Sequence, residues 1–299
     1  MNSSTHTKNQ GFLYTNRTDK WWVEPLWTGF GFICFVVYTT WAMFQANNYW
    51  WSNGQAGFGG YLSPFYSPLI FVKGAVSGGA PIDHAWFGSW PTWWPKLIPA
   101  SPAILILAGP LSFRMTCYYY RKFYYRAYFM SPPGCSVEGI RNKKYKGETA
   151  LLVFQNLHRF TLYLAIGYIF ILSYDAILSF FQNGVFGVGV GSLILTINPI
   201  LLGGYTFGCH AFRHLTGGNK DCFTCPNGKP TFRYKIWKKV SWLNGRHMMW
   251  AWISMIWVAF TDIYIRLVSN GTWVCLLYTS PSPRDATLSG VAAWGWKKK

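Results

Sequence analysis

Residues 185–209 read V-F-G-V-G-V-G-S-L-I-L-T-I-N-P-I-L-L-G-G-Y-T-F-G-C and contain no charged side chain. As a helix rising about 1.5 Å per residue, the stretch is long enough to cross the roughly 30 Å hydrocarbon core of a bilayer. Its many glycines and other small residues are typical of helices that approach one another closely in lipid. The stretch therefore predicts a membrane-spanning helix.

Other apolar segments along the 299-residue chain have the same character. Only 12% of the residues are charged, against about 25% in an ordinary soluble domain. The sequence predicts an all-α integral membrane protein, in which residues 1–274 form a single domain with five transmembrane helices. These helices are expected at about residues 27–46, 99–120, 157–181, 185–209 and 243–268, with a kink in the second at Pro102 and Pro110.

The net charge of +18 lies mostly in two connections between apolar segments. Lysine and arginine number nine in residues 112–160 and eight in residues 211–246, but only two in residues 47–98. Positively charged loops stay on the cytoplasmic side, so both basic connections and the N-terminus are predicted to be cytoplasmic. An acidic soluble partner explains this charge better than nucleic acid does.

Residues 275–285 read C-L-L-Y-T-S-P-S-P-R-D, which looks like an in-frame translation of a sequencing-library adapter. We therefore expect residues 275–299 to be a non-native tail, with the native continuation after Val274 missing. The charges of this tail are left out of the functional argument.

A dense group of histidines and cysteines follows the membrane helix, in the sequence C-H-A-F-R-H-L-T-G-G-N-K-D-C-F-T-C at residues 209–225. The two histidines are four residues apart, so on a helix they lie on one face. Residues 217–218 are expected to end that helix, and the C-x-x-C spacing beyond it brings two sulfurs to one centre. The predicted metal ligands are His210, His214, Cys222 and Cys225. Whether Cys209 is a ligand stays open.

Several cofactors suit such a donor set. Two histidines and two cysteines satisfy tetrahedral zinc, and they also satisfy a Rieske-type 2Fe–2S cluster, although its usual ligand order alternates cysteine and histidine. A single bis-histidine haem b is a further possibility, because four histidines (His158, His210, His214 and His247) fall near one membrane face. A haem would leave Cys222 and Cys225 without a role.

Ionisable groups elsewhere in the predicted helices are candidates for a quinone site or a proton path. Histidine and arginine at the membrane surface can hydrogen-bond a quinone carbonyl and supply protons, or else bind lipid phosphates. The quinone-site candidates are His158, Arg159, Arg246 and His247. Asp175 and Asp262 lie within predicted helices, where they either relay protons or make structural hydrogen bonds.

Three phrases carry a resemblance to a known family: C-Y-Y-Y-R-K-F-Y-Y-R-A-Y-F-M-S-P-P-G-C at 117–135, G-E-T-A-L-L-V-F-Q-N-L-H-R at 147–159 and G-C-H-A-F-R-H-L-T-G-G at 208–218. Over about residues 20–270 the chain resembles the five-helix membrane anchor subunit of prokaryotic succinate dehydrogenases that carry a Rieske-type cluster in the membrane.

This resemblance implies a place in the cytoplasmic membrane of a prokaryote, within a succinate:quinone oxidoreductase. The implied partners are a flavoprotein subunit, an iron–sulfur subunit, a membrane quinone and lipids, with room for a further small membrane subunit. Electrons from succinate would pass through the cluster, held by His210, His214, Cys222 and Cys225, to the quinone, which we expect to be menaquinone. The anchor itself would not oxidise succinate.

Overall fold

The computed structural model of the chain describes residues 11–52, 60–74, 76–140, 153, 155–182, 185–218, 221–222, 230–273 and 277–278. The described part is mainly helical, as predicted. Its α-helices are α1 (Val23–Gln45), α2 (Pro102–Ile106), α3 (Ala108–Thr116), α4 (Tyr118–Ala127), α5 (His158–Leu178), α6 (Val190–Phe207), α7 (His210–Gly217), α8 (Phe232–Asn244) and α9 (His247–Ser269). Two-residue strands pair antiparallel: β1 (Trp50–Trp51) with β2 (Tyr61–Leu62), β3 (Phe181–Gln182) with β4 (Val185–Phe186), and β5 (Val188–Gly189) with β6 (Leu277–Tyr278).

The chain divides into two compact units, and the assignment of residues 1–274 to a single membrane domain stays a prediction. The first unit comprises Met1–Gln45, Ala103–Ile169 and Leu201–Ala259. The second comprises Ala46–Pro102, Phe170–Ile200 and Phe260–Lys299. Each unit is therefore assembled from three separate stretches of sequence.

Four of the described helices, α1, α5, α6 and α9, are long and apolar enough to cross a membrane. The apolar segment Pro102–Thr116 is shorter and corresponds to the second predicted span. Helix α1 is largely unburied, with Leu26, Trp27 and Val37 all more than 60% exposed. Apolar side chains with this exposure are expected where a helix faces lipid.

The second predicted span is divided into three helices by breaks at Leu107 and Cys117. Pro110 lacks the N–H that would bond the Ile106 carbonyl one turn earlier, so the predicted kink occurs at this point. The Tyr168 hydroxyl of α5 donates to that carbonyl instead, at 2.9 Å. The second break was not predicted: Cys117 has extended backbone, with φ −66° and ψ 131°, and it ends α3 and begins α4.

The fourth predicted span, 185–209, is shorter at both ends than expected, because α6 covers Val190–Phe207. Residues 185–189 form strands instead of helix. At the other end, a Cβ on Gly208 would lie 2.6 Å from the Gly204 carbonyl oxygen, so this position requires glycine. The chain then turns at Cys209, which is the N-cap of the separate helix α7.

Aromatic side chains form much of the core of the first unit. The ring of Phe32 on α1 packs against Tyr120 and Phe123 of α4, at centroid distances of 6.0 and 5.5 Å. The Tyr128 hydroxyl donates to the Gly29 carbonyl at 2.9 Å. Aromatic pairs of this kind stabilise packing by about 0.5–1.5 kcal/mol each beyond the area they bury. They hold α4 and its basic residues against α1.

The second unit contains a buried loop at residues 60–72. Tyr66 and Val72 are fully buried. Ser63 hydrogen-bonds Asp262 of α9, and Ser67 hydrogen-bonds Asp175 of α5. Because both carboxylates bind this loop, it is fastened to two membrane-spanning helices.

Candidate metal centre

A cavity of about 390 Å³ lies in the first unit, at the ends of several of its helices. It is lined by histidines and cysteines from four parts of the chain, together with hydroxyl, amide and cationic side chains. Its histidines and cysteines are Cys117, His158, Cys209, His210, His214 and His247. The cavity therefore collects most of the described soft metal-ligand side chains in one place.

His158 begins α5 and is held on both ring nitrogens. Its Nδ1 lies 2.9 Å from Thr116 Oγ1, and its Nε2 lies 2.9 Å from Cys209 Sγ. The Thr116 hydroxyl donates to the Ser112 carbonyl at 2.7 Å, so it accepts a hydrogen bond from His158 Nδ1–H. This network assigns the proton to Nδ1 and leaves the Nε2 lone pair facing the sulfur, as in metal-binding histidines.

His247 begins α9 and approaches the second buried cysteine. Its Nε2 lies 3.5 Å from Cys117 Sγ, and its ring stacks on Tyr205 at a centroid distance of 4.9 Å and an interplanar angle of 15°. His247 Nδ1 is buried without a hydrogen-bond partner among the described residues. Buried polar atoms without partners are costly, and they often mark a site that receives a further group.

The four residues of these two pairs occupy equivalent places in the fold. Cys117 separates α3 from α4, Cys209 is the N-cap of α7, and the two histidines are the first residues of α5 and α9. Helix ends position them because Cys117 and Cys209 interrupt apolar helices with extended backbone. In chain order the residues alternate: Cys117, His158, Cys209, His247. This is the alternation of cysteine and histidine that is usual for Rieske ligands.

Both thiols of the pairs are buried. Cys209 lies beyond the end of α6, and burial raises the pKa of its thiol to about 12. A metal that binds Cys209 must displace the thiol proton, so its affinity would depend on pH.

The ligands predicted from the sequence are only partly described. His210 and His214 lie on α7 with ring centroids 6.5 Å apart, and both are exposed at the cavity. Helix α7 ends at Gly217, as predicted, and Arg233 of α8 hydrogen-bonds its last carbonyls. Cys222 is disulfide-bonded, and Cys225 lies outside the described residues.

Within the part of the chain that the structure describes, no three histidine, cysteine or acidic side chains are placed to hold a single metal ion. The donors instead form two separate nitrogen–sulfur pairs, His158 with Cys209 and His247 with Cys117. In number and type these donors are the two cysteines and two histidines of a Rieske-type centre, in which both histidines bind one iron and both cysteines bind the other.

Three of the four quinone-site candidates, His158, Arg159 and His247, line the cavity. Arg246 does not line it: its guanidinium stacks on the Trp242 ring at 4.3 Å. The proton-relay candidates both lie in the second unit and have structural partners. Asp262 forms an ion pair with Arg266 at 2.7 Å, and Asp175 bonds Ser67.

Sequence reasoning did not single out Cys117 and left Cys209 open as a ligand, because the sequence offers a denser group of histidines and cysteines at residues 209–225. One signal was available: all four alternating residues border an apolar segment next to a basic connection. The signal is weak, since the intervals between these residues are 38 or more positions and no local motif links them.

The fold and this centre define a multi-pass membrane protein with a buried histidine–cysteine site. The family model of the actinobacterial succinate dehydrogenase subunit SdhC matches residues 23–271, and the chain belongs to this family. It is thus a membrane subunit of a bacterial succinate dehydrogenase, a succinate:quinone oxidoreductase.

A solved structure agrees with this assignment. A chain of the Mycobacterium smegmatis Sdh1 complex in the apo form is 39% identical, with a TM-score of 0.78. The match covers 93% of this chain and 98% of that one. No curated protein sequence matches the chain significantly. Similarity at this level supports other succinate dehydrogenase subunits as its partners.

Proposed function

We propose that this chain passes electrons from the soluble part of succinate dehydrogenase to a membrane quinone through a Rieske-type 2Fe–2S cluster. The observation that carries the proposal is the pair of buried nitrogen–sulfur contacts, His158 with Cys209 and His247 with Cys117. Such a cluster takes up and releases one electron, and histidine ligation raises its reduction potential above that of an all-cysteine cluster.

The residues present fit that cluster chemically. The hydrogen bond from His158 Nδ1 to Thr116 Oγ1 fixes a neutral imidazole whose Nε2 is available for a metal. His247 Nδ1 has no described partner, so it is free to donate once its Nε2 is ligated. The sulfurs of Cys117 and Cys209 complete two cysteine and two histidine donors.

Two donor sets therefore compete for the cluster. The buried set, Cys117, His158, Cys209 and His247, is supported by contacts on all four residues. The set predicted from the sequence, His210, His214, Cys222 and Cys225, requires reduction of the Cys222 disulfide before its sulfurs can ligate. We propose the buried set as the ligands and keep the second as the alternative that ligand variants distinguish.

Zinc and haem remain the alternative cofactors. A structural zinc needs four donors around one ion, whereas the described donors lie in two pairs. A bis-histidine haem needs two imidazoles free to face one iron, whereas Nε2 of His158 and of His247 each faces a cysteine sulfur. We prefer the iron–sulfur cluster because it takes two histidines and two cysteines distributed over two irons.

The basic side of the chain supplies a surface for the soluble subunits. Helix α4 carries Arg121, Lys122 and Arg126, and it is followed in the chain by further basic residues. We propose that the flavoprotein and iron–sulfur subunits associate with this side, consistent with its positive charge. Arg159, exposed at the cavity, then becomes the candidate for contact with quinone, since His158 and His247 serve as ligands.

The test is iron analysis and low-temperature EPR of the detergent-purified complex after reduction with dithionite. About two irons per chain and the rhombic spectrum of a Rieske-type cluster, in addition to the signals of the soluble subunits, are expected. A complex reconstituted from the soluble subunits alone provides the subtraction control. Stoichiometric zinc without the extra signal, or a haem Soret band, would contradict the proposal.

A further inference from the structure

Arg114 of α3 is a buried cation without an acidic partner. Only 9% of the residue is exposed. Its guanidinium donates to the Tyr120 hydroxyl at 2.6 Å, to Ser254 Oγ at 3.2 Å and to the Ala251 carbonyl at 3.3 Å. All three acceptors are neutral, and no described carboxylate forms an ion pair with Arg114.

Among the described residues, a second buried arginine has the usual acidic partner. Arg266 is 6% exposed and forms an ion pair with Asp262 at 2.7 Å. A buried charge without a counter-ion is destabilising, even when neutral groups satisfy its hydrogen bonds. The unpaired charge of Arg114 therefore calls for a negative partner that the described side chains do not supply.

The proposed ligands lie directly beside this charge. Arg114 precedes Cys117 by one helical turn, and its charge acts electrostatically on both Cys117 and His247. Its guanidinium carbon lies 4.9 Å from the centroid of the Tyr205 ring, and that ring stacks on the His247 imidazole. A single aromatic ring thus separates the cation from a histidine of the centre.

We infer that Arg114 raises the reduction potential of the proposed cluster by compensating the negative charge that the cluster gains on reduction. The inference rests on the proposed function. A Rieske-type cluster with two thiolates and two neutral imidazoles is formally neutral when oxidised and carries one negative charge when reduced. A fixed cation in a site of low dielectric stabilises the reduced form selectively.

The experiment is an EPR-monitored redox titration of the complete membrane complex. Arg114→Gln keeps hydrogen-bond donors for Tyr120 and Ser254 but removes the charge. Ser254→Asp keeps the arginine and places a carboxylate beside it, at a position where Oγ now lies 3.2 Å from the guanidinium. Each variant is expected to disfavour cluster reduction by at least about tenfold, and tenfold corresponds to about 59 mV for one electron.

Two controls separate charge from structure. Arg114→Lys keeps the charge and is expected to stay within about threefold of the unmodified protein. Arg17→Gln removes an equal charge from an exposed pair with Asp19, where solvent screens it, and should leave the potential unchanged.

The outcomes distinguish this inference from the proposed function. If the unmodified complex lacks the extra EPR signal, the proposed function fails whatever Arg114 does. If the signal is present but Arg114→Gln and Ser254→Asp leave the potential unchanged, the inference is wrong. Loss of the cluster from an assembled variant also overturns it, because Arg114 would then hold the site together instead of tuning it. If the Arg114→Gln complex does not assemble, the reduction potential of the Ser254→Asp complex tests the inference.

Discussion

His158 Nε2 lies 2.9 Å from Cys209 Sγ, although the two residues are 51 positions apart in the chain. His158 is the first residue of α5, and Cys209 is the N-cap of α7. The imidazole is oriented by Thr116, which comes from a third helix. Three helix ends therefore meet at one buried point, and this contact supports the proposed ligand set.

Replacing the buried cysteines should distinguish the two ligand sets. Cys117→Ser and Cys209→Ser are each expected to abolish most of the cluster EPR signal, because loss of a ligand should lower metal affinity by more than the roughly 10–100-fold that loss of an outer partner costs. His210→Ala and His214→Ala should leave the signal largely intact. Cys34→Ser, at an exposed position on α1, is the matched control. Loss of the signal in the His210 and His214 variants, with retention in the cysteine variants, would establish the alternative set.

Thr116→Val tests the hydrogen bond that orients His158. The valine has nearly the same shape but cannot accept from Nδ1, so metal affinity is expected to fall about 10–100-fold. The measurement is the rate of iron loss to a chelator from the purified complex. Thr39→Val is the control, because the Thr39 hydroxyl bonds only the carbonyls of its own helix, at Phe35 and Val36. Equal rates in both variants would show that Thr116 does not support the centre.

Gly204→Ala should destabilise the packing of α6 in the first unit. A Cβ at Gly204 would lie 2.6 Å from the indole ring of Trp250, whereas a Cβ at Gly203 would meet Phe207 at an ordinary 3.6 Å. We expect Gly204→Ala to cost about 1–3 kcal/mol through overpacking, with little effect from Gly203→Ala. Thermal unfolding of the two variants provides the comparison. Similar unfolding temperatures would mean that Trp250 moves aside without strain.

The buried pair of Asp262 and Arg266 should be sensitive to loss of one partner. Asp262→Leu alone leaves the arginine charge buried and unpaired, and we expect it to cost about 3–5 kcal/mol. Asp262→Leu combined with Arg266→Met removes both charges and should recover most of that loss. Chemical unfolding of the detergent-solubilised complex measures both values. A double variant as unstable as Asp262→Leu would indicate that the hydrogen bond from Ser63 to Asp262 matters more than the ion pair.

Much of the fold follows from the sequence because apolar segments long enough to span a bilayer have few alternatives to helix. The apolar runs predicted α1, α5, α6 and α9, and each end lies within about five residues of its predicted position. Pro110 indicated the interruption at Leu107, and residues 217–218 indicated the end of α7. The orientation of these helices across the membrane stays a prediction. The non-native origin of residues 275–299 also stays a prediction.

Three features depend on tertiary structure. They are the break at Cys117, the contact of His158 with Cys209, and the absence of a described carboxylate beside Arg114. Local sequence favoured residues 209–225, where donors are dense, because spacing reports only on residues within a few helical turns of one another. Donors 38 or more positions apart meet only when helix packing brings their ends together. By itself the sequence determined a helical membrane protein with two basic connections and a set of candidate metal ligands. Packing decided which of these histidines and cysteines lie buried together, beside an arginine that has no described carboxylate partner.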